Sequence, residues 1–194
     1  TSFSQEEMEA FRPSEKIGLI SCVNPDNEVH VSLITNIMAS SSNQLTLGQF
    51  CMGRSKWFIQ QNNRLSFFIM TLDRKFWRGK ARWTHKRTDG PEYEIYNEMP
   101  MFRYNAYFGI NTVHYLDLFE VEGPDPLPLG KIVPAALATR IVKSSLKTGN
   151  NNRVLKPFAE NLFNDLGSLK FISYLAEDGF PRLIPIIQCQ ASDS

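Results

Sequence analysis

At 194 residues the chain is long enough for one ordinary domain with an appendage and short for two full domains. Hydrophobic residues at 42% and charged residues at 21% mark a globular protein, and 21 Lys+Arg against 20 Asp+Glu leave a net charge of +1, too little to steer it onto nucleic acid or anionic lipid. Cys22, Cys51 and Cys189 are odd in number and widely spaced, which excludes a CxxC motif and favours a reducing, cytoplasmic compartment, and no apolar run approaches the roughly 20 residues that span a bilayer.

The chain opens with a capped amphipathic segment. Ser4, followed by Gln5, Glu6 and Glu7 and then by Met8 and Phe11 three apart, predicts a short helix. A hairpin follows: Ile17 to Val23 is apolar and β-rich, Asn24-Pro25-Asp26-Asn27 supplies the turn, and Val29 to Asn36 resumes alternation. Ser40-Ser41-Ser42 reads as a loop and Gln44 to Gly48 as a third strand. Arg54 to Asn62 reads as a helix, Leu65 to Leu72 and Phe76 to His85 as strands, the stretch near Glu92 to Asn97 as a helix, and Thr112 to Val121 as a sixth strand. Six strands in a largely antiparallel order with few long helices predict a small barrel.

Between Gly123 and Gly130 three prolines and two glycines fall within eight residues, the composition of a boundary. Helices are expected over Pro134 to Leu146 and Leu155 to Leu166, broken by Gly149 to Asn152. The opening pattern then returns. Leu169 to Leu175, the turn Glu177-Asp178-Gly179, and Arg182 to Gln188 form a second hairpin. One ungapped register at an offset of 152 (178 − 26) aligns Ile20-Ser21 with Ile172-Ser173, Asp26 with Asp178, and Phe11 with Phe163. The expected organisation is a barrel over 1–123, a helical connector over 124–167 and a partial second copy over 168–194. Two strands cannot bury their own face, so this hairpin needs a cover: the first barrel, a second subunit, or the rest of a longer two-barrel parent, which the abrupt end at Ser194 favours.

The richest polar cluster is Gln49-Phe50-Cys51-Met52-Gly53-Arg54-Ser55-Lys56, between a strand end and a helix start. Free N–H groups at a helix N-terminus, joined by Arg and Lys, are suited to phosphate. Composition by itself favours a plainer reading, two solvated cations on a helix start. On the second strand, alternation puts Ser32 and Asn36 on one side and Thr35 on the other, where they could line a ring system or merely decorate a half-exposed strand. The dense aromatic and amide stretch Tyr104 to Tyr115 could frame a pocket, or could be a packed loop. His30, His85 and His114 are scattered, and no HExxH, P-loop or nucleophile elbow is present.

The run Glu28 to Ile34, then Leu45 to Gly48, then Arg54-Ser55-Lys56 with Asn62, resembles the FMN-binding split β-barrels related to pyridoxamine 5′-phosphate oxidase. Gly79-Lys80-Ala81 within the fifth strand and Asp178 to Ile186 in the second hairpin add to the likeness, although Val29 stands where the family usually has proline and Pro181 keeps it. The resemblance implies a mainly β, α+β fold, a six-stranded antiparallel split β-barrel with flanking helices, then a helical connector and a partial repeat hairpin. It also implies a homodimer with FMN in a groove between subunits, its phosphate held by Arg54 and Lys56 with Ser55 and Gln49 nearby. The isoalloxazine edge would meet Ser32, Thr35 and Asn36, with Lys75 and Trp77 as further contacts. The implied activity is that of a flavoprotein oxidoreductase passing hydride or electrons from a reduced donor to a small-molecule acceptor. Neither nucleic acid, nor membrane, nor metal takes part. The alternatives are a flavin carrier, relay or sensor without turnover, a barrel without cofactor that serves in dimerisation, and deazaflavin or haem in place of FMN.

Overall fold

The computed structural model describes residues 1–103, 109–145, 155–186 and 188–191. They fall into two compact units, one of Thr1–Pro126 with Ser173–Leu183, the other of Leu127–Ile172 with Ile184–Ser194.

The first unit begins with α1 (Gln5–Ala10), whose capping box is complete: Ser4 accepts from the Glu7 amide, and the Glu7 carboxylate accepts from the Ser4 amide. Seven strands follow: β1 (Ile17–Val23), β2 (Val29–Leu33), β3 (Met38–Ser41), β4 (Gln44–Gln49), β5 (Arg64–Met70), β6 (Lys75–Arg87) and β7 (Thr112–Pro126). Helix α2 (Arg54–Gln61) lies between β4 and β5, and α3 (Pro91–Glu98) and α4 (Pro100–Arg103) lie between β6 and β7. All seven strands form one sheet in the order β2-β1-β5-β6-β7-β4-β3, with every neighbouring pair antiparallel.

Strands from both halves of that order feed one core. Ile20, Cys22, Leu65, Phe67 and Ile69 meet Leu45, Leu47 and Leu116, and Phe3, Phe11 and Ile59 plug the gaps. The sheet therefore rolls around its apolar face. Its two end strands, β2 and β3, are not paired to each other, which leaves the roll split. Past the end of β2 the pairing with β1 continues for one more rung, the Ile34 amide donating to the Gly18 carbonyl at 2.7 Å. Gly18 is required here, since a Cβ would lie 2.1 Å from the Ile34 carbonyl oxygen.

The strand count is seven, one more than expected. The serine run was expected to be a loop, but Met38↔Thr46, Ala39↔Leu45 and Ser41↔Gln44 pair β3 with β4 around a bulge. β2 stops at Leu33 instead of running to Asn36, because after Ile34 the chain turns, with the Ile37 amide donating to the Ile34 carbonyl. β7 runs on through the proline- and glycine-rich stretch, pairing Pro126 with Lys75 and Asp125 with Phe76.

In the second unit, a 3-10 turn at Leu129–Lys131 leads into α5 (Ile132–Ser145), and α6 (Pro157–Asn164) follows. Lys170, buried there, donates to the Gln188 side chain at 2.6 Å and to the Asp165 carbonyl. The second hairpin, β8 (Lys170–Leu175) with β9 (Pro181–Ile186), is a separate two-stranded sheet, and its turn-proximal part, Ser173–Leu183, belongs to the first unit. No helix among the described residues is long and apolar enough to cross a membrane.

Candidate anion site at the start of helix α2

β4 ends at Gln49, and four residues later α2 begins behind Gly53, an N-cap without a side chain to cap the first turn. The nearest intrahelical bond there is long, from the Trp57 amide to the Gly53 carbonyl at 3.4 Å. The helix thus starts with free N–H groups and the positive end of its dipole. Two cations sit on this turn. Arg54 is exposed, whereas Lys56 is only 7% exposed. The Lys56 side chain runs back beside the N-cap, its Cδ 4.0 Å from where a Cβ on Gly53 would lie. Neither cation makes an ion pair with a carboxylate among the described residues. Burial pushes the Lys56 ammonium below the usual lysine range, with the neighbouring Cys51 acting in the opposite direction. A largely buried lysine with no carboxylate partner among the described residues, at an uncapped helix start, presents positive charge that an anion would balance.

The loop before the helix is held by a buried chain of polar side chains. His114 is fully buried, and burial together with Lys56 and Lys86 lowers its pKa to about 4. The ring is therefore neutral near pH 7. Trp83 can only donate, so its Nε1 gives its proton to His114 Nδ1 at 3.1 Å, and His114 Nε2–H donates to Gln49 Oε1 at 2.9 Å. Gln49 continues to Asn111 Oδ1 at 3.4 Å, and Asn111 Nδ2 donates to the Phe50 carbonyl at 2.9 Å. Gln49 is thereby engaged in positioning the loop.

The other expected residues separate into two groups. Cys22 Sγ lies 3.7 Å from the His30 carbonyl and 4.0 Å from the Ser55 carbonyl, and the His30 ring meets Phe58 edge-on at 5.3 Å, so β2 is packed against α2. That brings Ser32, half-buried with its hydroxyl 3.2 Å from His30 Nε2, to the same side as Ser55. Thr35 and Asn36 lie in the turn after β2, so strand alternation does not apply to them. Asn36 Nδ2 donates to the Gly48 carbonyl at 2.9 Å, and its Oδ1 is buried with no partner among the described residues. Thr35 is half-buried without a side-chain hydrogen bond among the described residues.

Lys75 and Trp77 lie elsewhere. They line a pocket of about 580 Å³ under α1 together with Glu6, Glu7, Glu15 and Asp73. Trp77 is a core residue, edge-on to Phe11 at 4.9 Å and donating to Glu7 Oε1 at 2.7 Å, and Lys75 pairs with Asp73 at 3.2 Å. A pocket rich in carboxylates does not suit phosphate. Of the aromatic stretch Tyr104 to Tyr115, residues 104–108 lie outside the described residues. The network through His114 was missed from the sequence, where a lone histidine in a strand gives no signal of the Trp and Gln that face it.

No family model matches the chain, and no curated protein is significantly similar to it. Among solved structures it is similar to an FMN-binding protein from Syntrophomonas wolfei, at 12% identity over 63% of this chain and 89% of that one, with a TM-score of 0.49. HupZ of Group A Streptococcus is 10% identical over 61% of this chain and 92% of that one, also with a TM-score of 0.49. A candidate pyridoxamine 5′-phosphate oxidase from Lactobacillus delbrueckii is 13% identical over 63% and 94%, with a TM-score of 0.48. These neighbours include the kind of protein named by the sequence resemblance. At such identities and scores the likeness assigns this chain neither ligand nor reaction, which leaves the geometry around Lys56 to carry the functional argument.

Proposed function

We propose that the first unit binds a phosphorylated flavin of the FMN class at the start of α2 and serves as an oxidoreductase between a reduced donor and a small-molecule acceptor. The observation that carries this reading is Lys56, largely buried, without a counter-ion among the described residues and running back beside an uncapped helix N-terminus next to Arg54. The residues fit a phosphate group: two cations, free amides and no carboxylate partner among the described residues. Phe50, Met52 and Trp57 flank Gly53 with exposed apolar surface that suits a flat ring system. When bound, the flavin supplies the redox chemistry, and the protein holds the phosphate and orients the ring. The homodimer implied by the resemblance joins this reading only as a pairing through a surface other than the outer face of β1, β5, β6 and β7, which the chain itself covers.

Titration of the purified protein with FMN, followed by quenching of flavin fluorescence, tests the site. FMN is expected to bind and riboflavin, which lacks the phosphate, to bind about 10- to 100-fold more weakly, as charge-assisted hydrogen bonds worth about 1.5–3 kcal/mol require. Arg54→Ala with Lys56→Ala should erase that difference. Equal affinities for both flavins in the unaltered protein would defeat the assignment.

A further inference from the structure

Across the sheet, Ser21 pairs with Ser66, Ser66 with Lys80 and Lys80 with Glu120, so these four residues form one row over β1, β5, β6 and β7. Their neighbours Ile20, Cys22, Leu65, Phe67 and Ala81 point into the core, which turns the row outward. An outward polar row is ordinarily solvated. Here Ser21 is fully buried, Ser66 is 2% exposed and Lys80 5%.

The cover is the turn-proximal part of the second hairpin. Asp178 binds Lys80 at 2.8 Å, and Arg182 reaches Glu120 at 3.6 Å. Phe180, 2% exposed, stacks on Phe119 with centroids 4.9 Å apart, and the Arg64 and Arg82 guanidinium groups lie over its ring. Ser173 Oγ contacts Ser21 Oγ at 2.6 Å.

That last contact joins two residues separated by 152, the offset at which the first hairpin recurs in the sequence. They are equivalent positions of the two copies, and they touch through the same atom. In a two-fold interface only residues next to the axis meet their own equivalents; all others meet different residues. The remaining contacts obey this. Asp178, equivalent to Asp26, meets Lys80, and Arg182, equivalent to His30, meets Glu120.

We propose that the outer face of β1, β5, β6 and β7 is a two-fold interface whose second half is the chain's own β8–β9 hairpin, seated where the first hairpin of a second copy would otherwise lie. The face is closed to a second copy for as long as the hairpin stays.

Site-directed crosslinking in the full chain tests this, with Cys51 and Cys189 replaced by Ser. Under mild oxidation Ser21→Cys with Ser173→Cys should close an intrachain disulfide, read by peptide mass. A folded protein without that bond would overturn the seating. Ser21→Cys alone should give no dimer crosslinked through position 21 of both copies, and formation of one would show the face open. Adding Phe180→Asp to Ser21→Cys expels the hairpin and should make that crosslinked dimer appear. If the double variant loses its circular dichroism, Arg182→Glu in place of Phe180→Asp removes a contact at lower cost and is read the same way. A folded, hairpin-expelled protein that yields no such dimer would overturn the two-fold relation.

Discussion

Trp83 and His114 face each other across β6 and β7 with the indole N–H aimed at Nδ1, 3.1 Å away, and this one bond sets which nitrogen of a buried imidazole holds the proton. Protonating Nδ1 would put two donors in opposition and a charge in the core. The folded-state pKa of about 4 lies below the 6.5 of a free histidine, so the unfolded chain binds the extra proton. The stabilisation is complete above pH 6.5 and is lost as pH falls towards 4, at a cost of up to about 3 kcal/mol. Urea unfolding at about pH 7, 5.5 and 4 should show this decline, and His114→Gln should flatten it. An unchanged pH profile in that variant would assign the decline to other groups.

Lys56 and stability are expected to oppose one another. Replacing it with Met keeps most of the side-chain volume and removes a partly desolvated charge that has no partner among the described residues, so the ligand-free protein should melt higher, by about 2–4 °C for each kcal/mol relieved. FMN affinity should fall in the same variant. A lysine with a purely structural role would lower the melting temperature instead, which calorimetry distinguishes directly.

Gly79 and Glu120 are in closer contact than any side chain at position 79 would permit. A Cβ there would sit 2.0 Å from the Glu120 carbonyl oxygen and 2.9 Å from the Phe67 ring. Gly79→Ala has to part β6 from β7 or displace Phe67, and a loss of about 1–3 kcal/mol in chemical denaturation is expected. Gly130, with nothing within 4 Å of its would-be Cβ, is the control, and Gly130→Ala should be near neutral.

Trp77 should prove structural. Trp77→Phe deletes the bond to Glu7 and leaves a carboxylate half-exposed, for a loss of about 1 kcal/mol, while FMN affinity stays unchanged. A large loss of flavin binding would return Trp77 to the cofactor site.

Much of the first unit was legible because its signals are local. The cap at Ser4, the turn at Asn24 to Asn27, the apolar, β-rich run of β1, and the basic helix start at Arg54 to Lys56 each lie within a few residues of chain. The recurrence of Ile-Ser and Asp at a fixed offset is likewise a property of sequence alone. β3 was invisible, since Met38 to Ser41 alternate weakly and become a strand only through pairing with β4.

By itself, then, the sequence determined the order of the elements apart from β3 and α4, the recurrence of the first hairpin's residues, and a basic helix start of a kind suited to an anion. The tertiary structure alone decided which of the marked residues lie near one another. Trp77 went to the core under α1 and Gln49 to the His114 network, while Lys56 was left buried without a counter-ion among the described residues. It also decided that Ser21 and Ser173, equivalent in sequence, should meet at 2.6 Å. The reason is physical: alternation and capping depend on neighbours along the chain, whereas burial, counter-ions and strand partners depend on groups that only the rolled sheet brings together.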